Sequence, residues 1–418
     1  MNKFILTILL MVGIFFPTFQ SQLESSGAIL VNGLLLLISF AFLLISIRDG
    51  IFKVKAKWLI ILISIYSFML LHLTLSILIG YYFSNVSILI RDVFEYSRPL
   101  YNILLILSFV ITIGNIENCN QYLIKILNII FIIMVFFAFS QFFKLNGEFL
   151  SLYTKQHNLN TGRSSAPFIN PYDLGFMLCF YLFFYMHRFF FHGKKYLPYL
   201  IICFPVIFFT QSRTVFIVAL FGLFIIPILV YIRSLLRGWN RESVSLIISF
   251  GIVFILVVIM LYPIFIYLRE QFPYLINGIY SLVSGEKVNS LSMRYKQFDL
   301  IFYLANENLM IAFWGNGPAK DLLEFVESSY AFYLFRFGIL GLLLYFITPL
   351  VIAITLSVKI FLKNSFCSIN FAGLVWLLTI PIASIGNNFT DQIRLSLFYV
   401  FLLSFIIVKS LNENDGGK

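Results

Sequence analysis

WLIILISIYSFMLLHLTLSILIGYY, residues 58–82, carries no aspartate, glutamate, lysine or arginine over its whole length. A run of about 20 apolar residues makes a helix that crosses the ~30 Å hydrocarbon core of a bilayer. Lipid offers no hydrogen bonds to an open backbone, so this stretch must pair its own amides and carbonyls as a helix. Outward from it the pattern recurs at 4-19, 28-47, 98-114, 123-143, 171-190, 196-211, 212-232, 243-267, 328-358, 369-386 and 393-409, giving about twelve spans. The expected fold is all-α, a polytopic transmembrane helical bundle forming a single integral membrane domain over 1-418.

Composition points the same way. The 418 residues are 61% hydrophobic and only 11% charged, against about 25% charged in a soluble domain. That excludes cytosolic enzymes, disulfide-stapled secreted modules and disordered chains. The net charge of +11 does not imply nucleic acid, because basic residues on a polytopic chain collect in cytoplasmic loops. Cys119, Cys179, Cys203 and Cys367 are too few and scattered for a disulfide framework or a metal site. With no Asp-x-Asp pair and no histidine cluster on the predicted outer face, no metal or cofactor is expected. The first span has the charged start and apolar middle of a signal peptide, yet no small-x-small cleavage site precedes Gly27.

The basic loops Arg48 to Lys57, Arg188 to Lys195, Arg233 to Arg241 and Lys359 to Lys363 fall on one side when the spans alternate. That side is the cytoplasm, so both termini are cytoplasmic. The outer face then carries short loops at 20-27, 83-97 and 387-392 and longer ones at 144-170 and 268-327. Loops beyond about 15 residues are uncommon unless they are functional. Within the longest, Leu291 to Asn306 reads as an amphipathic helix presenting Tyr295, Phe298, Ile301, Phe302 and Ala305 to the headgroup layer.

The two faces differ in the kind of basic residue they carry. The inner side has five Arg against eleven Lys; the outer side has eight Arg (91, 98, 163, 213, 269, 294, 336, 394) against five Lys. Arg98, Arg213 and Arg394 stand at the starts of spans that begin outside, and Arg336 lies about two turns into one. Arg163 precedes Asn170-Pro171-Tyr172-Asp173, where Asn suits the N-cap, Pro the first helical position and Asp the first turn. A cation beside the positive end of a helix dipole is disfavoured by several tenths of a kcal/mol, so the repeated placement calls for an anion. Helix N-termini and guanidinium forks together make a phosphate or pyrophosphate site. The alternative for each arginine is a neighbouring acid, with Arg91-Asp92 and Arg269-Glu270 the plainest cases. His157, the outer-facing histidine, titrates in a useful range, and Asp173 is assigned to helix capping. Tyr153, Tyr172, Phe272, Tyr274, Tyr280 and Tyr295 suit either sugar stacking or interfacial anchoring.

Gly162-Arg163-Ser-Ser-Ala-Pro-Phe-Ile-Asn170-Pro171-Tyr-Asp-Leu-Gly175, Thr210-Gln-Ser212-Arg213-Thr214, Gly315-Asn-Gly317, and Glu327-Ser-Ser-Tyr330 with Arg336-Phe-Gly338-Ile-Leu-Gly341 resemble the O-antigen polymerase (Wzy) family and its relative, the O-antigen ligase. The resemblance covers most of 84–409. It implies a GT-C-like membrane glycosyltransferase that joins repeat units carried on undecaprenyl pyrophosphate at the outer face of the bacterial cytoplasmic membrane. It also implies that pyrophosphates are held by Arg163, Arg213 and Arg294, with Arg98, Arg336, Arg394 and His157 as further substrate-binding candidates. The expected partners are lipid-linked glycans, membrane lipid and a chain-length regulator. Where the ligase relative places a histidine this chain has Glu327-Ser328-Ser329, which favours the polymerase and makes Glu327 the first choice of general base. Asp92 and Glu95 follow. The rival readings are a ligase-type transferase, which differs in acceptor, and a flippase or transporter. A carrier would place ionisable groups near the bilayer midplane, where this chain offers only His72 and Arg336.

Overall fold

The computed structural model describes residues 2–19, 26–48, 57–237, 289–362, 367–389 and 392–415, with isolated positions between 251 and 284. Every regular element among the described residues is helical. In chain order these are α1 (Asn2–Phe15), α2 (Ser26–Arg48), α3 (Lys57–Ser84), the short α4 (Ile90–Val93), α5 (Ser97–Gly114) and α6 (Cys119–Phe142). Two short helices follow, α7 (Gly147–Ser151) and α8 (Gln156–Thr161), then α9 (Pro171–His192), α10 (Leu197–Phe209) and α11 (Arg213–Arg237). The last group is α12 (Asn289–Glu307), α13 (Leu309–Trp314), α14 (Ser329–Gly341), α15 (Thr348–Leu362), α16 (Ser368–Gly386) and α17 (Ile393–Asp415). A helix thus lies on each predicted span except 243-267, of which only residues 251 and 255 are described. By length and composition, 8 helices among the described residues are able to cross a membrane.

Burial separates the central helices from the peripheral ones. In α9 every side chain from Leu174 to Arg188 is buried, the pattern of a helix surrounded by others. It packs on α10, α11 and α16, and Trp376 of α16 donates its indole N–H to the Phe176 carbonyl at 2.8 Å. The rings of Phe176 and Trp376 stack at 4.6 Å. Close approach is set by small residues: a Cβ at Gly175 would meet Val215 of α11 at 2.7 Å. By contrast α3 and α11 leave Ile60, Leu71, Ile217 and Phe224 exposed, as a lipid-facing surface requires.

The connections sort into two ends. At one, the Phe19 amide bonds the Leu152 carbonyl at 2.8 Å, the Ser164 amide bonds the Phe209 carbonyl at 2.9 Å, and Arg394 reaches the Phe16 carbonyl. At the other, Tyr122 donates to the Lys3 carbonyl, His187 bonds Ser368, and Arg233 lies over Phe361. The first is the arginine end; Lys3, Lys125, Lys194, Lys195, Lys359 and Lys409 lie towards the second. The hydrogen bonds agree with the predicted alternation of the spans.

Two expectations change. The stretch 328-358 is not one regular helix: Gly338 sits at φ 63 within α14, and Leu342–Ile347 continues as a π-helix. The break is filled from outside, since the amides of Asn316 and Gly317 bond the carbonyls of Phe335 at 2.8 Å and Arg336 at 2.9 Å. The helix in the large loop does form, as α12, but its inward face is Arg294, Gln297, Phe298 and Ile301, while Tyr295 and Phe302 are exposed. The polar pair Arg294 and Gln297 turns inward because the bundle supplies partners for both, and the hydrophobic pattern alone gave no sign of this.

Candidate functional site

The N-terminus of α9 is the fixed point of the arginine end. Asn170 takes an extended backbone at the N-cap and Pro171 the first helical position, as the sequence predicts. Asp173 stands in the first turn as assigned and hydrogen-bonds the N-cap residue Asn170; it is also buried, and its carboxylate accepts the side-chain amide of Asn387 at 3.2 Å, tying α9 to the α16–α17 connection.

Around this point lie the three arginines implied by the resemblance. The segment bearing Arg163 is clamped by Gln141 of α6, whose amide donates to the Arg163 carbonyl at 2.7 Å and whose oxygen accepts the amides of Ser165 and Ala166, each at 2.8 Å. Arg213 opens α11, and the Ser164–Phe209 backbone bond joins the segments leading to both arginines. Arg294 of α12 pairs with Glu327, Nε to Oε2 at 2.9 Å, and donates from Nη2 to the Gly386 carbonyl at 3.0 Å. Gly386 in turn abuts Thr214, whose hydroxyl would stand 2.6 Å from an added Cβ. Half-buried Tyr172 lies within electrostatic reach of Asp173, Glu327, Arg294 and Arg163. Arg163, Arg213, Arg294, Tyr172 and Glu327 are all partly exposed, so a ligand can reach them.

A second group forms around Glu95. Its carboxylate receives Arg98 at 2.7 Å, Lys320 at 2.7 Å and Arg336 at 3.0 Å. Glu95 and Arg336 are buried, and both guanidinium groups lie over the Phe332 ring, Arg336 at 4.3 Å and Arg98 at 5.7 Å. One carboxylate thus faces three cations, with Asp92 within electrostatic reach of Arg336. Asp321 of the same loop as Lys320, held by Ser87, brings a further carboxylate, and Arg98 and Lys320 are the cations that an anion can reach.

The remaining predicted residues are placed differently. Asp92 is buried, and its carboxylate accepts the Leu89 amide at 2.9 Å. It caps α4 through Oδ2, and its Oδ1 is buried. The expected Arg91-Asp92 pairing does not form; Arg91 reaches across to Glu324 at 2.6 Å. Glu95 is fully committed to its three cations and is ill-placed as a base. Arg394 is buried beneath the surface, donating to the Phe16 carbonyl at 2.6 Å and lying 5.9 Å from the Tyr153 ring centre. Burial raises the Tyr153 hydroxyl above its ordinary value, with the Arg394 charge opposing, so this tyrosine supplies no anion. His157 stands exposed on α8. Tyr153 and Phe272 are buried, Tyr280 and Tyr295 exposed, and Arg269, Glu270 and Tyr274 lie outside the described residues.

Sequence reasoning passed over Lys320, Gln141, Gln297 and Asn387. Gln297 accepts the Glu327 amide at 3.2 Å and donates to the Phe325 carbonyl at 2.9 Å, so one side chain sets the approach of Glu327 to Arg294. The readable signal was a buried-type polar residue one turn from an arginine on an otherwise amphipathic helix. In comparisons with known proteins, no family model matches the chain and no curated protein matches it.

Proposed function

We propose that this protein is a multi-pass enzyme of the bacterial cytoplasmic membrane, of about twelve spans and GT-C-like, that polymerises oligosaccharide repeat units carried on undecaprenyl pyrophosphate. The observation that carries the reading is the convergence of arginines from remote segments, 163, 213 and 294, around the N-termini of α9 and α11. Guanidinium forks and helix N-termini both favour a pyrophosphate, and neutralising charge on the departing pyrophosphate lowers the barrier to glycosyl transfer. Arg163 and Arg213 bind the donor pyrophosphate, and Arg294 orients Glu327. The Glu327 carboxylate takes the proton of the acceptor hydroxyl as that oxygen attacks the anomeric carbon and the lipid pyrophosphate leaves. The cations around Glu95 form a second anion-attracting surface on the same face.

Deletion of the gene tests the assignment. Loss of the polymerase leaves single capped repeat units on the cell surface. Loss of a ligase leaves none there, and loss of a flippase traps units inside. Long chains persisting in the deletion strain would overturn the assignment.

A further inference from the structure

His72 lies deep in α3 and is buried together with Ser76 one turn on. Neither faces the arginine groups. Both reach the backbone of the loop that follows α13: His72 Nε2 lies 3.1 Å from the Trp314 carbonyl, and Ser76 Oγ donates to the same oxygen at 2.6 Å. A carbonyl only accepts, so Nε2 bears a proton, and Nδ1 shares a hydrogen bond with the Tyr345 hydroxyl at 2.7 Å. The histidine is therefore a strut between α3, the loop and the π-helical segment, with the Phe337 carbonyl of α14 also among its backbone partners.

The residues after Trp314 connect that strut to Arg336. Gly315 has φ 80 and Gly317 φ 70, and the amides of Asn316 and Gly317 occupy the Phe335 and Arg336 carbonyls that the break at Gly338 leaves open. The fit has no slack: a Cβ on Gly315 would meet the Arg336 carbonyl carbon at 2.4 Å, and one on Gly338 would meet the Phe313 carbonyl carbon at 2.4 Å. Asn316 is held by Ser84 at 2.5 Å. The same loop then runs to Lys320, so α3 fixes the loop, the loop fixes the Arg336 backbone, and Arg336 and Lys320 meet at Glu95.

We propose that His72 and Ser76 are positioning residues: through the Trp314 carbonyl they aim Arg336 and Lys320 at the anion-attracting surface around Glu95. This rests on the functional reading above only in the choice of ligand. Rotating one backbone turn of a guanidinium-bearing helix by a fraction of an ångström misaligns a bidentate contact without unfolding the helix.

The test measures binding of sugar-free undecaprenyl pyrophosphate to the purified full-length protein in detergent, alongside its thermal transition. Wild type is compared with His72→Phe/Ser76→Ala, Arg336→Lys, all three substitutions together, and His72→Gln. The expected result is a roughly 10-fold loss of affinity in the His72/Ser76 variant at an unchanged transition. Arg336→Lys is expected to lose a similar amount, and the combination no more than either alone, because residues acting through one contact are not additive. His72→Gln, which keeps an N–H for the Trp314 carbonyl, is expected to restore binding to within about 2-fold. Additive losses, or wild-type affinity in a folded His72/Ser76 variant, overturn the proposal. If that variant does not fold, Ser76→Ala alone decides: a loss that vanishes in the Arg336→Lys background supports the proposal, and its absence overturns it. Wild-type protein that fails to bind the lipid pyrophosphate at all overturns the functional reading and the positioning proposal with it, whereas wild-type affinity in the folded His72/Ser76 variant overturns the positioning proposal alone.

Discussion

The two arginine groups at one end of this bundle solve the same electrostatic problem in different ways. Around Glu95 the cations are drawn onto a buried carboxylate, with Arg336 only 4% exposed and each contact at 3.0 Å or less. Around Tyr172 the side chains of Arg163, Arg213 and Arg294 stay partly exposed, and Glu327 balances them through Arg294. A buried ion cluster has to be complete, because removing one member leaves an unneutralised charge in a poorly solvated place. A half-open group tolerates imbalance, which water and incoming anions relieve. The first arrangement suits a framework that presents Arg98 and Lys320 at its rim, the second an open donor site.

Substitutions separate the two in order of effect. The largest is expected from Glu95→Gln, which leaves Arg98, Lys320 and Arg336 without their shared carboxylate. Breaking a buried pair costs roughly 3–5 kcal/mol, reduced here because Arg98 is 32% exposed. Thermal unfolding in micelles reads it, and an unshifted transition would mean that the group is solvated after all. Next, Glu327→Gln is expected to lower turnover by about 100-fold, the range of a general base, while binding of the lipid pyrophosphate persists. Full turnover would place the base elsewhere.

Arg163→Lys and Arg213→Lys are each expected to shorten the polymer and to weaken donor binding about 10-fold, since an ammonium keeps the charge but not the fork. Chain length by gel electrophoresis, at equal expression, checks this. The smallest effect is expected at Arg91→Ala. Its pair with Glu324 is exposed on both sides, and such pairs contribute roughly 0–1 kcal/mol. A change in melting beyond that range would show that the surface pair belongs to the framework.

Hydropathy made the helices legible, because lipid admits few other backbones and α9 could be read from Asn170-Pro171 onward. The arginine asymmetry was also readable, since it follows from alternation alone. Partner choice was not. Arg98 and Glu95 are three apart and visible as a pair, but Lys320 and Arg336 join them from more than 200 residues away, and Arg91 bypasses its neighbour Asp92 for Glu324. Asp173 was legible as a first-turn residue beside Asn170, but its second partner, Asn387, lies more than 200 residues away. The break at Gly338 left a trace, since a glycine inside a span often marks close backbone contact. Its cause, the loop amides of Asn316 and Gly317, lies in a distant segment.

The central claim is that the half-open arginines hold a lipid pyrophosphate while glycosyl transfer occurs. The most direct measurement is reconstitution of the purified protein in liposomes with a synthetic undecaprenyl-pyrophosphate-linked repeat unit as the sole substrate. The account predicts a ladder of products, each longer by one repeat, with release of the lipid pyrophosphate and a sharp loss of the ladder in Arg163→Lys and Arg213→Lys. Unchanged substrate after incubation with folded wild-type protein, or an undiminished ladder in both variants, would contradict it.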